Sequence, residues 1–220
     1  NYTFAEAGVE ARKIATTINA YNLPKQSHIA LLSKNCAHWV LADLAIMMSG
    51  HVSIPIYPSL TADAIHQILE HSESRAIIIG KLDNFKSQKS GIPNIPKISI
   101  GLYGEKEGDL WEDLLLKNNP LKEVCFQETE NLHTIIYTSG TTGTPKGVMH
   151  TVGNFMESIR VIKPALQLKE ASRFFSYLPM AHVAERVGIE TYGIILGAEI
   201  SFPESLETFA NDLEKCQPEL

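Results

Sequence analysis

The chain has 220 residues, 44% hydrophobic and 20% charged, with a formal net charge of −6. That composition is globular and supplies apolar material for a sizeable core, which excludes a fibrous or low-complexity chain. The acidic balance, with no block of consecutive basic residues, argues against a nucleic-acid partner, because phosphate-backbone binding needs clustered Lys and Arg.

No run reaches the ~18 apolar residues that a membrane-spanning helix requires. The richest stretch, 39–56, is interrupted by Asp43, Ser49, Gly50, His51, Ser53 and Pro55. Cys36, Cys125 and Cys216 are odd in number, far apart and in no metal-binding spacing, and read as reduced thiols of a cytoplasmic protein. The chain begins at Asn1 rather than Met, so a missing native N-terminus is expected.

Helical and strand patterns alternate along the chain. Residues 4–21 place Ala7, Ala11, Ile14, Ala15 and Ile18 on one face, with Thr3 and Glu6 as a capping box. Leu23-Pro24 ends that helix. A buried strand is predicted over 28–32, a helix over 37–48 closed by Gly50, and a strand over 52–56 with Pro55 and Pro58 at its exit. A helix over 61–71, a strand over 76–79, a short helix over 83–90, a strand over 97–100 and a helix over 110–117 follow. This βαβα rhythm predicts an α/β fold with mostly parallel strands covered by helices. The polar stretch 118–131 is taken as a boundary, giving a first α/β subdomain over 1–130 and the start of a second over 131–220.

The second part opens with a strand over 132–137 and a Gly/Thr loop over 138–147. A helix over 153–164 with Thr151 as its cap, a strand over 174–177 and an apolar helix over 181–196 stopped by Gly197 come next. A strand over 198–202 and a helix over 206–215, with Leu206, Phe209, Ala210 and Leu213 inward, complete the pattern. The chain stops at Gln217-Pro218-Glu219-Leu220, where a connection to another strand is expected, so it reads as part of a longer protein.

The chemistry is concentrated in the loop. Gly140, Gly143 and Gly147 permit close backbone approach, Thr138, Ser139, Thr141, Thr142 and Thr144 offer hydroxyls, and Lys146 adds a point charge. Backbone N–H groups, hydroxyls and one ammonium together suit a polyphosphate. The preceding apolar strand puts the loop at a sheet's carboxyl edge, where open α/β sheets bind ligands. A flexible solvated turn would not need this concentration of hydroxyls and glycines. A Walker A loop is rejected, because the glycine required before Lys146 is Pro145 and the hydroxyl residue required after it is Gly147.

The run Tyr137-Thr-Ser-Gly-Thr-Thr-Gly-Thr-Pro-Lys-Gly-Val148 resembles the phosphate-binding signature of the adenylate-forming, or AMP-binding, superfamily. Tyr177-Leu-Pro-Met-Ala-His-Val-Ala-Glu-Arg-Val187 resembles its next motif, in the form seen in long-chain fatty acid–CoA ligases, and 205–209 and 54–58 fit that branch. The resemblance implies the large N-terminal domain of an acyl-CoA synthetase. It also implies ATP-dependent adenylation of a fatty acid, then thioester formation with coenzyme A. By the same resemblance Thr138, Ser139, Gly140, Thr141, Thr142, Gly143, Thr144 and Lys146 wrap the β- and γ-phosphates of ATP, with Thr138 or Ser139 as the candidate Mg²⁺ contact. Lys146, Thr138, Ser139 and His182 are the candidate catalytic residues.

His182, alone a structural histidine, would in this motif border the carboxylate and adenylate pocket. Glu185 and Arg186 are left open between a surface pair and polar lining, neither expected to be catalytic. Helix 187–196 is expected to pack in the core against an acyl tunnel. Val152 stands where the family commonly has His, with His150 two positions earlier. The adenine-binding, ribose-binding and distal catalytic-lysine segments of the family have no counterpart here, so this piece is expected to be inactive alone. A degenerate nucleotide- or acyl-binding module of the same fold is the alternative. A cytoplasmic location with peripheral membrane contact suits a fatty acid substrate.

Overall fold

The computed structural model describes residues 1–138 and 145–220. The first helix, α1 (Phe4–Ala20), carries the expected reciprocal capping box of Thr3 and Glu6. It leads into β1 (His28–Leu32), α2 (Ala37–Met48), β2 (Val52–Ile56), α3 (Ala62–His71) and β3 (Ala76–Ile79). Next come α4 (Phe85–Gln88), β4 (Lys97–Ser99), a two-residue strand β5 (Asp109–Leu110) that the sequence did not suggest, and α5 (Trp111–Lys117).

The main sheet has seven strands in the order β5-β4-β3-β1-β2-β6-β7, with β6 (Leu132–Thr138) and β7 (Lys146–Thr151) closing one side. The pairs from β5 through β6 are parallel, and β6 and β7 run antiparallel. Helices cover both faces, so the central strands read as near-continuous apolar runs, with Ser53 of β2 a buried polar exception. Ile29, Leu31, Ile78 and Ile98 pack with α1, α2 and Trp111 on one face. Ala30, Leu32, Ile77 and Ile79 pack with Ile65, Ile68 and Phe85 on the other. The alternation within β1 and β3 is the period of two that the pleat imposes.

Residue 130, the expected division, lies between strands of this one sheet, since Thr134 of β6 pairs with Ser53 of β2. A separate two-stranded parallel sheet starts later, with β8 (Arg173–Phe175) and β9 (Glu199–Ser201). Around it lie α6 (Val152–Leu166), α7 (Val183–Glu185), a π-helical stretch Arg186–Thr191, α8 (Tyr192–Leu196) and α9 (Phe209–Cys216). Ile159, Phe174, Ile189, Tyr192 and Ala198 form its small core.

Three local expectations are corrected. Lys146 and Gly147 belong to β7 rather than to the loop: Thr138 pairs with Lys146 and Tyr137 with Gly147. No alternation marks this edge strand, and a side chain at Gly147 would approach Ile135 Cγ2 to 2.7 Å. The last helix starts at Phe209 instead of residue 206, and Leu206 is 88% exposed. Ser205 and Thr208 bond each other's backbone N–H through their hydroxyls, a local turn that competes with helix. Of the four side chains expected inward, Phe209 alone packs, against Phe175 and Tyr177, while Ala210 and Leu213 are exposed. The apolar helix over 181–196 starts at Val183 and contains the π-helical stretch in its middle.

Candidate functional site

Parallel pairing of β1, β2 and β6 sets their carboxyl ends along one edge of the sheet. Thr138 ends β6 at that edge, and its pairing with Lys146 brings both ends of the phosphate-type loop there. Both residues are exposed and place a hydroxyl and an ammonium at this edge. Ser139, Gly140, Thr141, Thr142, Gly143 and Thr144 lie outside the described residues. Tyr137, at the start of the motif, turns inward, and its hydroxyl meets His71 Nδ1 at 2.7 Å. Burial raises its pKa.

The second motif reaches the same edge through Asn35, in the turn after β1. Its Nδ2 donates to Ser176 Oγ at 2.9 Å and to the Leu178 carbonyl at 2.6 Å, and its Oδ1 accepts from the Met180 amide at 2.9 Å. Met180 is buried in the first core cluster. Anchored at both ends, the segment presents Tyr177, Leu178 and Pro179 to solvent. His182 follows as the N-cap of α7. Its Nδ1 accepts from the Ala184 amide at 3.2 Å, so the neutral ring carries its proton on Nε2, on an exposed side chain.

Glu185 and Arg186 are not a surface pair; both are buried. Glu185 accepts from Ser176 Oγ at 2.7 Å. Burial raises its pKa, opposed by hydrogen bonds from Ser176 and from the backbone of Tyr177 and Leu178. Arg186 is 0% exposed. Its Nη2 donates to Asp43 of α2, its Nη1 to Thr134 Oγ1 of β6 at 2.5 Å, and its Nε to Glu190 at 3.3 Å. The guanidinium carbon lies 5.4 Å from the Trp39 ring and 5.6 Å from that of Phe155.

Burial, reinforced by the Asp43 carboxylate and opposed by Arg186, raises Glu190 well above the ordinary carboxylate range. Burial and then Arg186 push His133 down to about 4. His150, edge-on to Phe155, is lowered by the same two causes. Sequence reasoning missed Asn35, Asp43, Thr134, Ser176 and Glu190. The signals available were a lone Asp in the apolar run 37–48 and the Arg186/Glu190 spacing in another apolar run.

An exposed Thr hydroxyl and Lys ammonium paired at a carboxyl edge fit phosphate oxygens. Hard hydroxyl oxygen also fits Mg²⁺, which retains water and phosphate ligands rather than demanding a protein cage. Among the described residues there is no group of three or more His, Cys, Asp or Glu able to hold a metal. Nor is any helix there long and apolar enough to cross a membrane. Two surface hollows of about 590 and 580 Å³ lie at the opposite end of the strands, beside Ser74 and Arg75 and beside Gly50 and His51. They are remote from this chemistry.

The model of the AMP-binding enzyme family matches residues 1–220. Fatty acyl-CoA synthetase A of Dictyostelium discoideum is 30% identical over 98% of this chain and 34% of its own length. The peroxisomal long chain acyl-CoA synthetase 6 of Arabidopsis thaliana is 26% identical over 91% of this chain and 30% of its own length. The chain therefore spans about a third of these relatives. Among solved structures, anthranilate CoA ligase AuaEII in complex with anthranoyl-AMP superposes with a TM-score of 0.87 at 22% identity, over 98% of this chain and 43% of that one. At that identity the likeness establishes the fold.

Proposed function

This chain belongs to the AMP-binding enzyme family, and we propose on that premise that it is part of a long-chain fatty acid–CoA ligase. In the proposed reaction a carboxylate oxygen forms a bond to the α-phosphorus of ATP while the bond to pyrophosphate breaks. The thiol of coenzyme A then attacks the acyl carbon and releases AMP. The observation that carries the reading is the pairing of Thr138 with Lys146 at the carboxyl edge of the parallel sheet.

In this reading Lys146 and Thr138, with Ser139, Gly140, Thr141, Thr142, Gly143 and Thr144, hold the β- and γ-phosphates as charge moves onto the leaving pyrophosphate. Mg²⁺, when bound, adds positive charge to the same oxygens, with the Thr138 or Ser139 hydroxyl as its protein contact. His182 borders the acid with its Nε2–H outward. The fatty-acid branch is supported by the names of the relatives above and by the form of 177–187. The anthranoyl-AMP ligase shares the fold with an aromatic acid, so acid class is the point to test.

The experiment is acid-dependent pyrophosphate release by the full-length protein, offered palmitate, benzoate or anthranilate with ATP, Mg²⁺ and coenzyme A, with thioester followed by mass. Palmitoyl-CoA is the expected product. Preference for an aromatic acid overturns the fatty-acid branch and leaves adenylation intact. ATP consumption indifferent to every acid overturns both and favours a degenerate binding module. A cytoplasmic site of action, with peripheral contact to the membranes where fatty acids partition, belongs to the same proposal.

A further inference from the structure

Arg186 lies four residues beyond His182, and Thr134 lies four residues before Thr138. Its guanidinium therefore joins the roots of the two segments that carry the candidate site. Thr134 extends the link: its Oγ1 donates to the Ser53 carbonyl of β2 at 2.7 Å. Asp43 and Trp39 fix the same guanidinium to α2, and Phe155 brings in α6. One planar fork thus sets the relative placement of β6, α2, α6 and the π-helical stretch that Arg186 begins. A π-helical stretch inside a helix often accompanies a functional site.

Packing alone does not call for this arrangement. A buried ion triad is frequently no more stable than apolar residues of similar volume. Here Asp43 Oδ1, Glu190 Oε1 and Trp39 Nε1 are buried without hydrogen-bond partners among the described residues. The cluster therefore carries unmet polar groups in addition to desolvated charge. What it supplies that Leu or Met could not is a set of fixed directions: a rigid fork aimed at Thr134 and Asp43 between two aromatic faces.

Resting on the ligase reading above, we propose that Arg186 is a positioning residue for acyl-adenylate formation. It acts through Thr134 on the strand entering the phosphate loop, and through its own backbone on the segment ending at His182. Reacting groups held an ångström out of line lose rate while both substrates still bind.

The test uses the full-length protein and its Arg186→Lys, Thr134→Val and double variants. Acid-dependent ATP–pyrophosphate exchange is measured per active site, counted by the burst of adenylate, beside the KM for ATP and the thermal unfolding midpoint. Arg186→Lys keeps the charge but loses the fork. It is expected to unfold cooperatively, to keep its KM for ATP within about threefold, and to lose at least about tenfold in kcat. Thr134→Val is expected to lose a similar factor, and the double variant little more than either single one, because the two act as a unit. Wild-type kcat per active site in either single variant overturns the proposal, as do losses that multiply in the double variant. A purely structural role would lower the unfolding midpoint and the number of active sites and leave kcat per site alone. If Arg186→Lys does not fold, Thr134→Val, which keeps shape and removes one hydroxyl, decides the question. Wild-type protein without acid-dependent exchange removes the ligase reading and this role with it. Active wild type with unimpaired variants removes this role alone.

Discussion

Replacing Asn35 by Ala should free the segment 176–182 without unfolding the sheet beneath it. Among the described residues, its three side-chain hydrogen bonds all end on that segment. They are not equal. Leu178 is exposed, so its carbonyl can bond water once released, and the loss there is small. Met180 is 1% exposed, and its amide would be left without a partner. A net hydrogen bond contributes about 0.5–1.5 kcal/mol, and a buried unsatisfied donor costs about 1–3 kcal/mol. The local cost is therefore about 3 kcal/mol, which corresponds to roughly a hundredfold rise in the opening constant of the segment. Asn35 is itself half-buried, and Ala leaves no large cavity in either core cluster. Native-state hydrogen exchange followed by peptide mass should show amides over 176–182 exchanging about a hundredfold faster, with β1 and β3 unchanged. Unchanged exchange over 176–182, or acceleration spread evenly across the sheet, would refute the assignment of Asn35 as the local anchor.

Lys146→Ala and Thr138→Val should each slow acid-dependent pyrophosphate release by about 10- to 1,000-fold. Both positions are exposed, so the denaturant midpoint should hardly move; normal rates would remove them from the site. Gly147→Val brings a Cβ to 2.7 Å from Ile135 Cγ2 and 3.2 Å from the Tyr137 ring. Overpacking of this kind costs about 1–3 kcal/mol, read as a lower urea midpoint, and a neutral result would mean that β7 lies elsewhere. His133, held down to about 4 against an ordinary 6.5, stays neutral in the fold while the unfolded chain takes up a proton. Its contribution is thus full above about 6.5 and is lost as pH falls toward 4. The span corresponds to roughly 3 kcal/mol. Glu190, raised in the fold, titrates with the opposite sign. The informative quantity is therefore the difference from His133→Phe, which should lose less stability between pH 7 and 4.5 than wild type does.

The parallel sheet was legible because its strands are covered on both faces. Val52–Ile56 and Ala76–Ile79 are entirely buried, so they stand out as apolar runs between helical periods. Thr3 was readable as a cap because its partner, Glu6, follows three residues later; Thr151 was readable as a cap, and the structure adds Asn154 as its partner. What failed depended on backbone rather than side-chain pattern. β7 is an edge strand whose residues are exposed or half-buried, and its identity comes from hydrogen bonds to β6. Ser205 and Thr208 delay the last helix through local bonds that hydrophobic periodicity does not register.

The site shows the same division. The proposed phosphate loop stands out in sequence because its chemistry is local: hydroxyls, glycines and a lysine in one run. The contacts that tie β6 and the segment carrying His182 to the main sheet come from Asn35, Asp43, Thr134 and Arg186, which are up to 151 positions apart (186 − 35) and singly unremarkable in sequence. Each carries a polar group to a place where a polar group is costly unless something meets it. An Asp in the apolar face of α2 demands a cation, and an Arg whose Nε is met by Glu190 one turn on still has two amino groups that need acceptors from elsewhere. Two such unmet demands in one chain imply each other, even across 143 residues. The inference that would have paired Asp43 with Arg186 thus rests on electrostatic need, and it points at the junction between the main sheet and the segment carrying His182. In the proposed ligase, that junction is where the relative placement of the two candidate segments would be fixed.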